Sequence, residues 1–138
     1  MKVARFRKFV SRIVHRRFDL SEREIKHRVK LNNVRNINRN RVPNSPVLLG
    51  IIYEPYQYHQ YFVTAALEMQ LSFDVINIYT NDWWEKINEE SYDGFLVWPN
   101  GVKESLKSVY DSRIKLITEV LKKPVFPEYN AIWLYENK

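Results

Sequence analysis

The chain has 138 residues, 45% apolar and 14% aromatic, with no cysteine; this bounds it to one cored domain plus an appendage and excludes a disordered chain, a disulfide framework, a thiolate metal site and a cysteine nucleophile. No apolar run nears the roughly 20 residues that span a bilayer, and the basic N-terminus is not followed by the uncharged stretch of a signal peptide, so a cytoplasmic protein is expected. The net charge of +6 is divided unevenly: residues 1–45 hold 14 Lys and Arg against Asp19, Glu22 and Glu24, a net of +11, whereas residues 46–138 carry a net of −5.

In chain order, Val3, Phe6, Phe9, Val10, Ile13 and Val14 share one face of a helix, with Arg5, Lys8, Arg12 and Arg16 opposite. Ser21 and Glu24 have capping-box spacing, and Ile25 with Val29 forms an i,i+4 pair, which predicts a second short helix. These elements make residues 1–31 a basic helical leader. The Asn- and Arg-rich stretch at 32–46, closed by Pro43 and Pro46, is expected to be a linker.

The domain proper, 47–138, opens with the apolar run Val47-Leu48-Leu49-Gly50-Ile51-Ile52-Tyr53, ended by Glu54-Pro55, as in a central strand covered on both faces. Tyr58, Tyr61, Phe62, Ala65, Ala66 and Met69 then keep helical spacing. Residues 73–79 are rich in β-formers and predict a second strand, followed by a short helix from Asp82 to Glu90. Gly94-Phe95-Leu96-Val97-Trp98 is the third strand, and Leu106, Val109, Tyr110, Ile114, Ile117, Val120 and Leu121 mark a long amphipathic helix ending before Pro124. Pro124-Val125-Phe126-Pro127, bounded by prolines, fits only a short edge strand. A last helix is predicted over Tyr129 to Tyr135.

Strands alternating with helices predict an α/β fold: a small, Rossmann-like parallel sheet of four strands, order 2-1-3-4, with helices on both faces. In such sheets ligands bind at the carboxyl ends of the strands. The loops there begin at Glu54, Thr80, Pro99 and Glu128, and Glu54, Tyr56, Asn81, Asn100 and Glu128 are the polar candidates for a substrate site.

No complete catalytic motif is legible. Gly50, Gly94 and Gly101 are too far apart for a phosphate-cradling loop, His15, His27 and His59 lack metal-ligand spacing, and no nucleophile elbow is present. His59, just after strand one, is read as structural or solvated before functional, and Trp83 and Trp84 as caps on the core before stacking platforms. The leader presents Phe6 and Phe9 on one side and Arg5, Lys8, Arg12 and Arg16 on the other. It can lie peripherally on an anionic inner membrane face or against a partner, or simply pack on its own domain; membrane ranks ahead of nucleic acid, because no stacking platform accompanies it.

As a set, Tyr53-Glu54-Pro55, then Tyr92 through Pro99, then Pro124-Val125-Phe126-Pro127, then Ile132-Trp133-Leu134-Tyr135-Glu136-Asn137-Lys138 resemble the N-terminal, pre-ATP-grasp domain of ATP-grasp carboxylate-amine ligases. The resemblance covers Val47 to Lys138. It implies one wall of a substrate site, with no catalytic residue and no metal or nucleotide held by this chain alone. ATP and Mg²⁺ would belong to ATP-grasp domains missing here and supplied in cis or in trans, so that the chain is a truncated product or one part of a split enzyme. Lys138 matches a lysine that can approach nucleotide phosphate in relatives. The expectation from a different class is a non-enzymatic α/β adaptor anchored by its basic helix to an anionic membrane surface or a partner subunit.

Overall fold

A computed structural model describes residues 2–18, 23, 34–98 and 104–128. The chain folds into an α/β unit with a mixed five-stranded sheet between two helical layers. In chain order its elements are α1 (Lys2–Phe18), a 3₁₀ turn (Val34–Asn36), β1 (Arg39–Asn40), β2 (Leu48–Ile52), α2 (Gln60–Glu68), β3 (Ser72–Ile76), α3 (Trp83–Glu89), β4 (Gly94–Leu96), α4 (Glu104–Glu119) and β5 (Val125–Phe126). Apart from Arg23, the predicted helix at Ser21 lies outside the described residues, as does that at Tyr129 to Tyr135.

The spatial order is β1-β3-β2-β4-β5. β2 pairs in parallel with β3, Leu48 opposite Ser72, and with β4, Leu49 opposite Gly94; β4 pairs in parallel with β5, Phe95 opposite Val125. The expectation of a wholly parallel, four-stranded sheet is corrected by β1, which pairs antiparallel with β3, Arg39 opposite Asp74. That strand comes from the stretch expected to be a linker, whose described part is built into the domain: Val34 is 2% exposed, the Asn40 side chain donates to the Leu71 carbonyl, and the Val42 amide donates to Ser72 Oγ. The cause is Asp74. A carboxylate on an otherwise open strand edge draws in Arg39 and Arg41, and a two-residue strand suffices to bring both.

Alternation along each strand sorts the core into two layers. Leu49, Ile51, Phe73 and Leu96 face α2, which brings Phe62, Val63 and Ala66, and α1, which brings Phe6, Val10 and Ile13. On the opposite face Ile52, Ile76, Phe95, Val97 and Val125 meet Trp83 and Ile87 of α3 and Tyr110, Ile114 and Ile117 of α4. The chain order explains the asymmetry. After β3 the path crosses to β4 and then β5, so right-handed crossovers put α3 and α4 on one face and α2 alone on the other, and α1 covers the part of that second face that α2 leaves open.

Close approach makes Gly94 necessary there. A Cβ at Gly94 would sit 2.5 Å from Cε2 of Phe6, and one at Gly50 would sit 2.3 Å from Cδ1 of Phe95. Helix α2 closes on Gln70, whose φ of 55° lets the Leu71 amide reach back to the Ala66 carbonyl at 2.9 Å.

Candidate functional site

The strand order of the parallel part of the sheet reverses between β2 and β4, which leave toward α2 and α4 on opposite faces. A crevice opens outside the strand ends at such a point. The β2 exit is organised by Glu54, which is 1% exposed. Its carboxylate accepts the Tyr56 amide at 2.8 Å and the Tyr58 amide at 2.9 Å, and its carbonyl accepts the Gln57 amide at 2.8 Å. Gln57 is held at φ 70° within this turn, a left-handed conformation that is strained for a residue with a Cβ and persists only where its surroundings enforce it.

The same turn fixes His59. Its Nδ1 accepts the Glu54 amide at 3.1 Å, so the neutral ring carries its proton on Nε2. Burial pushes the His59 pKa down to about 4, and an amide donor on the Nδ1 lone pair likewise favours the neutral ring. The imidazole is therefore uncharged at neutral pH, and it lies against the Tyr53 ring at 5.1 Å between centroids.

Aromatic side chains bridge the two exits. Tyr58 stacks on Trp98, which follows β4, with centroids 5.3 Å apart and planes 14° from parallel; Tyr61 and Phe62 meet the same indole at 5.4 and 5.6 Å. The Trp98 carbonyl accepts the Tyr110 hydroxyl at 2.8 Å, tying the β4 exit to α4. Beyond β3, Arg113 of α4 donates to the carbonyls of Ile78 and Thr80 and lies over Trp83, 5.0 Å from the ring centroid. Trp83 is buried, as its capping role requires.

The expected site residues fare differently. Glu54 stands at the rim but is turned onto its own loop. Tyr56 projects into solvent at 64% exposure, Asn81 is exposed, and Glu128 is an exposed partner of Arg7 at 3.7 Å. Asn100 and Lys138 lie outside the described residues. Phe6, expected on a membrane or partner face, is instead a core residue at 2% exposure, because the bare half of the sheet takes it up. Phe9 is partly buried with Arg12 over its ring, while Arg5, Arg7, Lys8 and Arg12 remain exposed; the Arg16 side chain is outside the description. Sequence reasoning passed over Tyr58 and Trp98 as rim aromatics, and nothing in the sequence told them from core residues.

A second polar constellation sits at the β1 edge. Asp74 accepts Arg39 Nε at 2.8 Å, Arg41 at 2.7 Å and the Tyr92 hydroxyl at 2.6 Å, and Glu90 accepts Arg39 at 3.3 Å. Burial alone would raise the Asp74 pKa, but the bonds from Arg41, Tyr92 and Arg39 together outweigh it and hold it below the ordinary value. Burial and the Asp74 charge push the Tyr92 phenol up. An open groove of about 460 Å³ runs beside this network, between Asn38, Asn77, Lys86 and Glu89. Its ion pairs are mutually satisfied, so it reads as the staple of β1.

Among the described residues no group of three His, Asp or Glu side chains is placed to hold a metal ion, and no helix is long and apolar enough to cross a membrane. No known protein family, no curated protein and no solved structure matches the chain.

Proposed function

We propose that this chain is the substrate-side domain of an ATP-grasp-type ligase, a Rossmann-like unit that forms one wall of a carboxylate site. ATP and Mg²⁺ are handled by further domains in cis or in trans. One observation carries the reading: the switch between β2 and β4 brings a carboxylate-organised turn, with Gln57 at φ 70°, beside an aromatic stack of Tyr58 on Trp98. Strain stored at a strand exit and enforced by a buried side chain accords with a binding rim rather than an idle loop. The resemblance of Tyr53-Glu54-Pro55 and of the Gly94–Trp98 run to the pre-ATP-grasp domain supplies the ligase class.

Amide chemical-shift mapping of the ¹⁵N-labelled chain tests it. Titration with N-acetylglycine, a minimal carboxylate, is expected to move amides of residues 53–61 and 98, and Mg·ATP alone is expected to leave them unmoved. Carboxylate shifts confined to the β1 edge, with the rim silent, would overturn the reading.

A second reading, an adaptor held to an anionic membrane by α1, keeps one favourable observation, the exposed row Arg5, Arg7, Lys8 and Arg12. Because Phe6, Val10 and Ile13 are committed to the core, this surface attracts anionic lipid but inserts nothing from that face, and its binding would be abolished by salt. Sedimentation with phosphatidylserine vesicles across a salt series decides it: binding that survives high salt would contradict a purely electrostatic contact.

A further inference from the structure

We propose that His59 is a ligand-binding residue of the rim, donating its Nε2–H to an oxygen of the substrate carboxylate. This deepens the ligase reading and rests on it for the class of ligand. His59 stands where β2 hands over to α2, 5% exposed, its ring oriented by the Glu54 amide on Nδ1. The bond that fixes the ring also fixes its chemistry: with Nδ1 occupied by a donor and the proton on Nε2, no lone pair is free, so the side chain serves as a donor and not as a general base.

That donor is uncommitted. Nε2 makes no hydrogen bond within the described residues, and the described side-chain atoms sealed from solvent without a partner are Thr64 Oγ1 and Asp111 Oδ1, so Nε2 is not fully sealed from solvent. An almost buried imidazole that gives its acceptor to its own loop and leaves its donor at a binding rim is completed by an acceptor oxygen from outside. The local charge favours an anionic one. Burial keeps the ring neutral, the start of the nine-residue helix α2 carries partial positive charge, and the Glu54 carboxylate is turned onto the amides of Tyr56 and Tyr58.

Imidazole ¹H–¹⁵N spectra of the full chain, recorded during titration with N-acetylglycine and with N-acetylglycinamide as the neutral control, test the assignment. The expected result is a shift of the His59 Nε2–H with the carboxylate and a much weaker response to the amide. His59→Asn keeps an acceptor for the Glu54 amide but removes the outer donor, and is expected to weaken carboxylate binding at least about tenfold with an unchanged amide map elsewhere; His59→Gln, which returns an N–H near the Nε2 position, recovers part of the loss. Equal binding by wild type and His59→Asn overturns the role of His59 and leaves the ligase reading standing. No rim binding by wild type overturns both, and an equal response to the amide overturns the carboxylate. If His59→Asn does not fold, the wild-type Nε2–H shift decides alone.

Discussion

Phe6→Ala and Gly94→Ala, made singly and together, measure how firmly α1 belongs to the domain. Phe6 is 2% exposed and among the largest fully buried side chains, so truncation to Ala removes a whole ring from a packed layer, at a cost of about 3–5 kcal/mol. Gly94→Ala acts on the same contact from the sheet. Its new Cβ would lie 2.5, 2.6 and 2.7 Å from three ring carbons of Phe6, where ordinary contact begins at 3.4 Å. The ring must retreat by roughly an ångström and carry α1 with it, an overpacking cost of about 1–3 kcal/mol. In the double variant the methyl group added at Gly94 enters space that the ring has vacated. The two effects should therefore fall short of additivity by about 1–2 kcal/mol, the coupling expected of residues in contact. Urea denaturation followed by tryptophan fluorescence reads all three values, and at about 4 °C per kcal/mol for a chain of this size Phe6→Ala should also lower Tm by about 12–20 °C. A Phe6→Ala midpoint equal to wild type would refute the reasoning, because it would mean that α1 is a detached leader and that the sheet face beneath it is stable bare.

Asp74→Asn should cost about 2 kcal/mol by weakening its bonds to Arg39, Arg41 and Tyr92 and should flatten the acid limb of stability: a carboxylate whose folded pKa is depressed contributes fully above about 3.8 and loses that contribution as pH falls through the lower folded value, which thermal melts from neutral pH downward would show. His59 adds a separate slope of the same sign at higher pH. With a folded pKa of about 4 against an ordinary 6.5, the native state binds fewer protons in that window, so stability should decline as pH falls from about 6.5 toward 4, and ¹H titration of the His59 ring should place its midpoint far below the ordinary 6.5. Arg113→Ala should cost about 1–3 kcal/mol, losing two carbonyl contacts and the cation over Trp83, and should change the tryptophan emission of the native state; an unaltered spectrum and midpoint would show that the loop after β3 stands without it.

The α/β class was legible because Val47 to Tyr53 and Gly94 to Trp98 are unbroken apolar runs, and Tyr58 to Met69 and Leu106 to Leu121 keep helical periodicity. Those signals are local and need no partner to be read. The edge strand was not legible. Arg39-Asn40 has neither β-propensity nor an apolar face, and it exists because Asp74, 35 residues away for Arg39, presents a carboxylate that two guanidiniums can satisfy only by lying along the sheet. The same limit left the leader undecided between lipid, a partner and its own domain, since an amphipathic helix looks alike whether its apolar face meets lipid or meets its own sheet. What decides is the count of helices per face, which follows from strand order and crossover hand and not from the leader itself.

At the β2 exit the sequence marked polar residues but not the hydrogen bonds that hold them. Glu54 drew notice as a polar residue at a strand end, the position where ligand-binding carboxylates occur, yet burial turns it inward: at 1% exposure a carboxylate must find donors, and the amides of Tyr56 and Tyr58 are within reach only if the chain curls through a strained Gln57. That curl delivers the Glu54 amide to His59 Nδ1 and so decides which histidine nitrogen is left to the outside. On the proposed reading, the ligand-facing role thus passes from one side chain to another through a backbone turn. Glu54→Ala should accordingly be felt at His59 before it is felt by any ligand, as a rise of the His59 pKa toward 6.5 once the turn loosens and water reaches the ring. A His59 titration that stays near 4 in that variant would show that the ring is held by α2 alone.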